Sequence, residues 1–360
     1  MLKVGLLCGV IAAMSAAGVS SVLPKANESK DCDSRFIVEL KEDIHGLDAK
    51  EAISQQNKVF KKIQGRVNSN ASVVQHFSVL NNAFAVSANE EDLEAISQLP
   101  GVKNVYKEEE HVVKSNGGGF SLKVNKTGGT IDVNKNASAS TMQKSDDTND
   151  GEGTLIAILD NEFYFKGRTA TDAGFHHEVF DKLPSDVKTK LSFDGVKAFA
   201  DKAGVHAVRD KNVLQGYEGS LYFNNKVPFY YDYAGDSDNG SSHDLAMDWD
   251  VHSEIGLHGS HVASIAAANA TKEAGEGDIY TDYKGIAPKA QLACMKVFSD
   301  VKQTDVGSVA DMGNYSTFTE SGFLAALEDS ILLGADVINV SIGSDLDDFD
   351  LTSITMRTLE

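Results

Sequence analysis

Two hydrophobic periods run along the chain, and each marks a different unit. Arg35-Phe36-Ile37-Val38-Glu39-Leu40 alternates as a strand. Asp48 stands where it can cap a helix carrying Ile53, Phe60, Ile63 and Val67 on one side. Val73 to Phe77 reads as a second strand, Asn81-Asn82 as a turn and Ala83 to Val86 as a third strand. A short helix through Leu93 and Ile96 stops at Pro100-Gly101, and Val102 to Tyr106 closes the unit. The order strand-helix-strand-strand-helix-strand is the split pattern of a small α+β, ferredoxin-like sandwich, expected over residues 35–113.

Residues 114–152 lose that periodicity. Gly117-Gly118-Gly119, Gly128-Gly129 and a run rich in Ser, Asn, Asp and Thr read as a linker. From Gly153 the chain alternates between strand and helix. Leu155-Ile156-Ala157-Ile158-Leu159 is continuously apolar, as for a parallel strand buried on both faces, and it ends at Asp160. Residues 171–255 read as irregular, with a strand-like piece at Val227 to Tyr233. Gly259 to Ala270 is a small-residue helix and Ala290 to Phe298 another apolar strand. Phe323, Leu327 and Ile331 mark a helix ending at Gly334, and Asp336 to Val340 a further buried strand. The expected fold class for residues 153–360 is α/β, a parallel sheet with flanking helices.

Composition narrows the function. Lys and Arg number 33 and Asp and Glu 53, a net charge of −20 with no basic stretch, so no nucleic-acid partner is expected. Three cysteines, Cys8, Cys32 and Cys294, are too few for a disulfide scaffold or a four-thiolate zinc site, and Cys294 is expected to be a buried thiol. Lys3 followed by the apolar run Val4 to Val19 and then small residues reads as an export signal over 1–26, so the expected location is secreted or cell surface.

Candidate chemistry gathers at two places. Asp160 ends an apolar strand, where open α/β sheets carry functional groups. In His258-Gly259-Ser260-His261-Val262-Ala263 a histidine opens a thin-sided helix. Two readings stay open: His258 as a general base oriented by a carboxylate from another strand, or His258, His261 and His252 as metal ligands. His-Glu-x-x-His is absent, and His176-His177 reads as a solvated loop pair. No cofactor is expected; calcium is the candidate structural ion for Asp236/Asp238 and Asp345/Asp347/Asp348/Asp350, which lack a full ligand pattern.

Leu159-Asp160, His258-Gly259-Ser260-His261-Val262-Ala263, Gly285-Ile286-Ala287-Pro288-Lys289-Ala290-Gln291-Leu292 and Val337-Ile338-Asn339-Val340-Ser341-Ile342-Gly343 occur in the order seen in subtilisin-like serine proteases. Residues 153–344 resemble the first half to two thirds of that catalytic domain. Residues 35–113 resemble the family's inhibitor-type prosegment, through Phe36-Ile37-Val38, Phe84-Ala85-Val86 and Leu99-Pro100-Gly101-Val102. The long stretch between Asp160 and His258, with Tyr230-Tyr231-Asp232-Tyr233, is similar to the large cell-envelope proteinases that include lactocepin and C5a peptidase. The resemblance implies Asp160 as triad acid, His258 as general base and Ser341, Ile342 and Gly343 as the strand pairing with substrate backbone. It also implies a protein or peptide substrate, and the chain's own prosegment as intramolecular inhibitor.

Three departures stand against the family pattern. Asn161-Glu162 follows the acid where a small residue and Gly are usual, and Glu162 is expected to raise the imidazole pKa. Ser260 and Ser264 replace Thr and Gly. No Gly-Thr-Ser-Met-Ala block and no Ser-Gly-Asn block occur, so the catalytic domain is expected to be incomplete here and residues 1–360 to be inactive. The rival class is a non-catalytic pseudoprotease or inhibitor-like binding protein.

Overall fold

The first unit follows from where its chain can bury apolar side chains. β1 (Ser34–Leu40), α1 (Ala49–Arg66), β2 (Ser72–Phe77), β3 (Ala83–Ala88), α2 (Leu93–Ser97) and β4 (Val102–Lys107) succeed one another. The strands form an antiparallel sheet in the order β2-β3-β1-β4, the split arrangement expected from the sequence. Asp48 caps α1 in a reciprocal box: its carboxylate accepts from Glu51 N (2.9 Å), and Asp48 N donates to the Glu51 carboxylate (3.3 Å). The inward line of α1 is Ala52, Gln56, Val59 and Ile63. Ile63 therefore lies where the pattern put it, while Ile53, Phe60 and Val67 flank the line and are only half-buried. A glutamine can hold a core position here because its amide donates to Phe77 O (2.7 Å) and Asn82 Oδ1 (3.0 Å), and its oxygen meets His76 Nδ1 (2.7 Å).

The computed structural model describes residues 32–108, 110–114, 125–126, 129–130, 150–160, 163, 178–207, 221–234, 258–269, 284–300 and 315–340. The expected signal, 1–26, lies outside them. β5 (Glu110–Lys114) ends the stretch read as the first unit, and in the stretch read as a linker the structure describes a two-residue pair, β6 (Asn125–Lys126) and β7 (Gly129–Thr130).

The second unit contains β8 (Leu155–Asp160), α3 (Phe193–Ala200), β9 (Phe229–Asp232), α4 (His258–Ala267), β10 (Gln291–Lys296), β11 (Ser299–Asp300), β12 (Tyr315–Thr319), α5 (Glu320–Leu333) and β13 (Val337–Val340). β13-β8-β10-β9 is a parallel sheet, as expected. Leu155, Ala157 and Leu159 face α3 and α5, and Ile156 and Ile158 face α4, so β8 is covered on both sides. Three expectations need correction. Residues 193–200, read as irregular, form α3, capped by Ser192 and anchored through Val196 and Phe199. Ile331 is not on the inner face of α5: it is 43% exposed, while Phe323 and Leu327 are buried. β13 is an edge strand among the described residues, with Val337 50% exposed, rather than a fully buried one. α5 ends as the sequence indicated, on Gly334 in the left-handed conformation (φ 80°).

The two units share one apolar cluster. Ile37, Phe77, Ala83 and Ala85 of the first sheet pack with Phe323, Leu324 and Leu327 of α5. Within this contact α5 buries two carboxylates. Glu328 accepts from the backbone N–H groups of Ser78 (3.0 Å), Val79 (3.0 Å) and Leu80 (2.9 Å), and lies 3.0 Å from His206 Nε2. Asp329 accepts from His206 N, Ala207 N and the Tyr233 hydroxyl. Burial pushes the Asp329 carboxyl up, opposed by the charge of His206 and these donors.

Glu328→Gln keeps the shape but removes the charge and one acceptor from three buried donors. It is expected to cost ~2 kcal/mol in urea unfolding, the range for hydrogen bonds to a charged group. A second expectation concerns pH. Burial, helped by the charge of His206, lowers His76 to about 4. Its folded value lies below the ordinary ~6.5, so the unfolded chain binds the extra proton between these limits. The stability tied to His76 is therefore complete above pH ~6.5 and falls as pH drops towards 4. Urea midpoints at pH 7 and pH 4.5 are expected to differ less in His76→Gln than in the unaltered chain.

Candidate active site

Asp160 stands at the carboxyl end of β8, 1% exposed. Its backbone oxygen accepts from Val297 N (2.9 Å), which holds the strand end against β10. Parallel register sets Asp160 beside Lys296 of β10, and Lys296 beside Asp232 of β9. Side chains alternate along a strand, so these three share the face of Ile156, Ile158, Leu292 and Cys294, which is the face covered by α4. Lys296 Nζ lies 3.5 Å from Asp232 Oδ2, and both residues are buried. Sequence reasoning did not single out this pair as a site. Its only signal was a lone lysine ending the apolar run Leu292 to Met295.

α4 lies close to the sheet because its inner side is thin: Val262, Ala263 and Ala267 pack on the strands. Ala266, Ile265 and Ala268 carbonyls accept from Ala287, Ile286 and Gly285, the segment leading into β10. Gly285 is needed there, since a Cβ would stand 2.4 Å from Ala268 N. The carboxyl end of α4 is thus tied to the amino end of the sheet. Its ten residues, ~15 Å long, run back towards the carboxyl end, where Asp160 lies. His258 is the first residue of α4. His261, three residues on, is exposed.

The core under this face is closed. Burial pushes the Cys294 thiol far up, with the charge of Lys226 opposing and that of Asp160 adding to the shift, so Cys294 is not a thiolate nucleophile at neutral pH. Burial lowers Lys226 to about 7 and raises Tyr230 to about 12. The Lys226 amine donates to Pro288 O (2.8 Å) and Ala290 O (2.7 Å), which fixes the entry to β10.

A second feature lies beside the sheet. β5, at the carboxyl end of the first unit, pairs antiparallel with β12, Tyr315 opposite Lys114 and Thr319 opposite Glu110. β12 runs straight into α5. Thr319 caps that helix through Gly322 N (3.3 Å), and Glu108, just before β5, accepts from Ser321 N (2.9 Å). A carboxylate at a helix N-terminus meets unpaired N–H groups and the positive end of the dipole. Neither β12 nor Glu108 was evident as a contact in the sequence, because 213 positions separate Glu108 from Ser321.

Ser341, Ile342 and Gly343 lie outside the described residues, as do His252, His176-His177, Asn161-Glu162 and the acidic clusters read as calcium candidates. Among the described residues no group of three His, Cys, Asp or Glu could hold a metal. Among them, too, no helix is long and apolar enough to cross a membrane.

The chain matches known proteins over both units. The profile of the subtilase family covers residues 151–357, and that of peptidase inhibitor I9 covers residues 35–113. A PI-type proteinase of Lactococcus lactis subsp. cremoris is 32% identical over 195 residues, 54% of this chain and 8% of that protein. A PII-type proteinase of Lacticaseibacillus paracasei is 31% identical over the same length, again 54% of this chain and 8% of the relative. A C5a peptidase of Streptococcus pyogenes is 26% identical over 218 residues, 59% of this chain and 14% of the peptidase. The matched stretch therefore spans under one sixth of each of these relatives. With the family profile covering more than half of its residues, this chain belongs to the subtilase family, and it carries an inhibitor I9 unit ahead of the matching region.

Proposed function

We propose that the chain is the prosegment and the amino-terminal part of the catalytic domain of an exported subtilisin-like serine endopeptidase. Its divisions would be a signal at 1–26, the prosegment at 35–113, a linker at 114–152 and catalytic residues from 153 onwards. Asp160 is the triad acid and His258 the general base. The serine hydroxyl is a weak nucleophile until an imidazole takes its proton, and the aspartate holds the required tautomer and stabilises the imidazolium. The observation that carries the reading is Asp160 at the carboxyl end of β8, the sheet edge towards which α4 runs back to its first residue, His258.

The same reading gives the first unit its role. The antiparallel addition of β5 to β12 is how an extended peptide docks on a sheet edge, by main-chain hydrogen bonds that tolerate varied side chains. Support also comes from the Glu108 cap and the Glu328 contacts, which tie that unit to the same β12–α5 segment. The prosegment is an intramolecular inhibitor whose tail occupies the ground of a protein substrate, with Ser341, Ile342 and Gly343 as the facing strand. Similarity to a PI-type proteinase and a C5a peptidase supports protein substrates and a secreted or surface location. Residues 1–360 contain no Gly-Thr-Ser-Met-Ala block, and by themselves they are expected to leave casein uncut.

In the mature protease, His258→Ala is expected to lower kcat ~10⁶-fold, the loss established for such a deletion in a subtilisin, and Asp160→Asn ~10⁴-fold. Hydrolysis of a fluorogenic peptide measures both, and activity retained by either variant removes the assignment. Residues 32–114, added to that protease as a separate polypeptide, are expected to inhibit at micromolar concentration or below. Glu108→Ala is expected to weaken this inhibition several-fold, the scale of one helix-terminal charge.

A further inference from the structure

The stretch between Asp160 and His258 sends one loop onto the first unit. α3 ends at Ala200, and residues 201–207 lie against the carboxyl-terminal half of α5. The second unit holds the backbone of this loop by itself. The Lys202 ammonium donates to Leu332 O (2.6 Å). His206 N (3.0 Å), Ala207 N (2.7 Å) and the Tyr233 hydroxyl (2.8 Å) donate to the Asp329 carboxylate. None of these partners comes from the first unit. A loop anchored in its own unit loses little conformational freedom when another surface meets it.

The loop touches the first unit at two points. Gly204 is left-handed (φ 84°), and a Cβ on it would stand 2.5 Å from Ser78 Oγ and 3.2 Å from Ala49 Cβ. Bare backbone is therefore required at Gly204, and small side chains opposite it. The second point is the His206 ring, 5% exposed. Its Nε2 lies 3.0 Å from the Glu328 carboxylate, and its Nδ1 lies 2.5 Å from the Gln75 amide nitrogen. A carboxylate only accepts, so Nε2–H donates to Glu328, and Nδ1 accepts from the Gln75 amide. The ring also lies tilted on Phe77, 5.7 Å between centroids. One imidazole thus joins α5 to β2 of the first unit.

We propose that residues 201–207 are a preformed recognition clip for the chain's own prosegment, which select a partner presenting a donor amide at position 75 and small side chains at positions 49 and 78, and retain it after the linker is cut. This rests on the reading of residues 35–113 as an inhibitory prosegment. The other contacts between the units cannot make such a choice. Glu328 binds the main chain of residues 78–80, which every side chain there would offer. The pairing of β5 with β12 is likewise main-chain. A prosegment of the same fold with an apolar residue at 75 would leave Nδ1 of His206 buried without a donor. A bulky residue at 78 would meet Gly204. Both refuse a wrong partner by a penalty rather than by a missing attraction.

The test uses the full-length precursor and follows, after cleavage in the linker, the release of the prosegment and the onset of fluorogenic-peptide hydrolysis. Substitutions in the prosegment leave the mature protease chemically unchanged, so a changed onset reads the contact. Gln75→Leu is expected to speed release ~3–10-fold, the scale of one lost hydrogen bond. Ser78→Val is expected to speed it ~10-fold or more, through overpacking against Gly204. Ser78→Ala stays small and removes a buried hydroxyl that makes no hydrogen bond among the described residues, so release is expected to stay within about twofold. His206→Phe keeps the ring and the backbone bonds to Asp329 but has no nitrogen, and on that background Gln75→Leu is expected to lose its effect. A general weakening of the prosegment would speed release equally on both backgrounds. If His206→Phe does not fold, the contrast between Ser78→Val and Ser78→Ala decides. An equal effect of Gln75→Leu on both backgrounds, or Ser78→Val releasing no faster than Ser78→Ala, overturns the clip and leaves the inhibitory reading intact. A processed precursor that hydrolyses peptide at the full rate with its prosegment still bound overturns that reading and the clip with it.

Discussion

Everything in this chain is arranged around the need to bury β8 on both faces. A strand of Leu155, Ile156, Ala157, Ile158 and Leu159 has no face to offer to water, so it must be a middle strand in a middle layer. α4 covers one side, with alanines that let it approach closely. α3 and α5 cover the other. α5 is itself too apolar to form an outer surface: from Glu320 to Ser330 every residue is buried. The sheet of the first unit supplies its cover, and α1 and α2 close that sheet from outside. The layers follow in sequence from one strand, each created by the apolar face its neighbour leaves open.

That order explains where the charges go. Among the described residues the buried carboxylates are Glu39, Asp160, Asp232, Glu320, Glu328 and Asp329. Four of them form two groups at the edges of the layers. Glu328 and Asp329 lie between α5 and the first unit, on backbone N–H groups of residues 78–80 and 206–207. Asp160 and Asp232 lie at the end of the sheet with Lys296 between them. Glu328 takes its three backbone donors from the first unit, whereas the donors of Asp329 all belong to the second. The group at the end of the sheet belongs to one unit and persists without the other.

Much of this was legible in the sequence because the signals were local. The apolar run to Asp160, the small-residue helix from Gly259 and the stop at Gly334 each depend on neighbouring residues, and each appears in the fold. The first unit was legible as an order of elements, and its sheet order follows. What escaped depends on distant partners. α3 has two anchoring residues in eight, too few to show a helical period, and it is held by the core it meets. Ile331 continues the spacing of Phe323 and Leu327 but falls past the edge of the layer that covers them. The row Asp160, Lys296, Asp232 exists only through register, since β10 comes between β8 and β9 in space but after both in sequence.

β12 and α5 form one continuous segment that touches the first unit at both ends. β5 pairs with its strand, Glu108 caps its helix start, and the turn at 78–80 closes on Glu328 two thirds along the helix. Separation of the units would leave Glu328 with His206 alone and would strip the cap from Ser321. A buried carboxylate without donors costs several times what the paired one contributes, so the segment could not keep its present packing unchanged. Water would have to enter beside α5, or the loop at 201–207 would have to move onto the exposed helix. The first unit is therefore more than a cover that can be lifted off. It supplies hydrogen-bond donors and a helix cap to the element that leads directly into β13, the strand beside β8 and Asp160. On the proposed reading, release of the prosegment and rearrangement next to the triad acid are consequences of the same broken contacts.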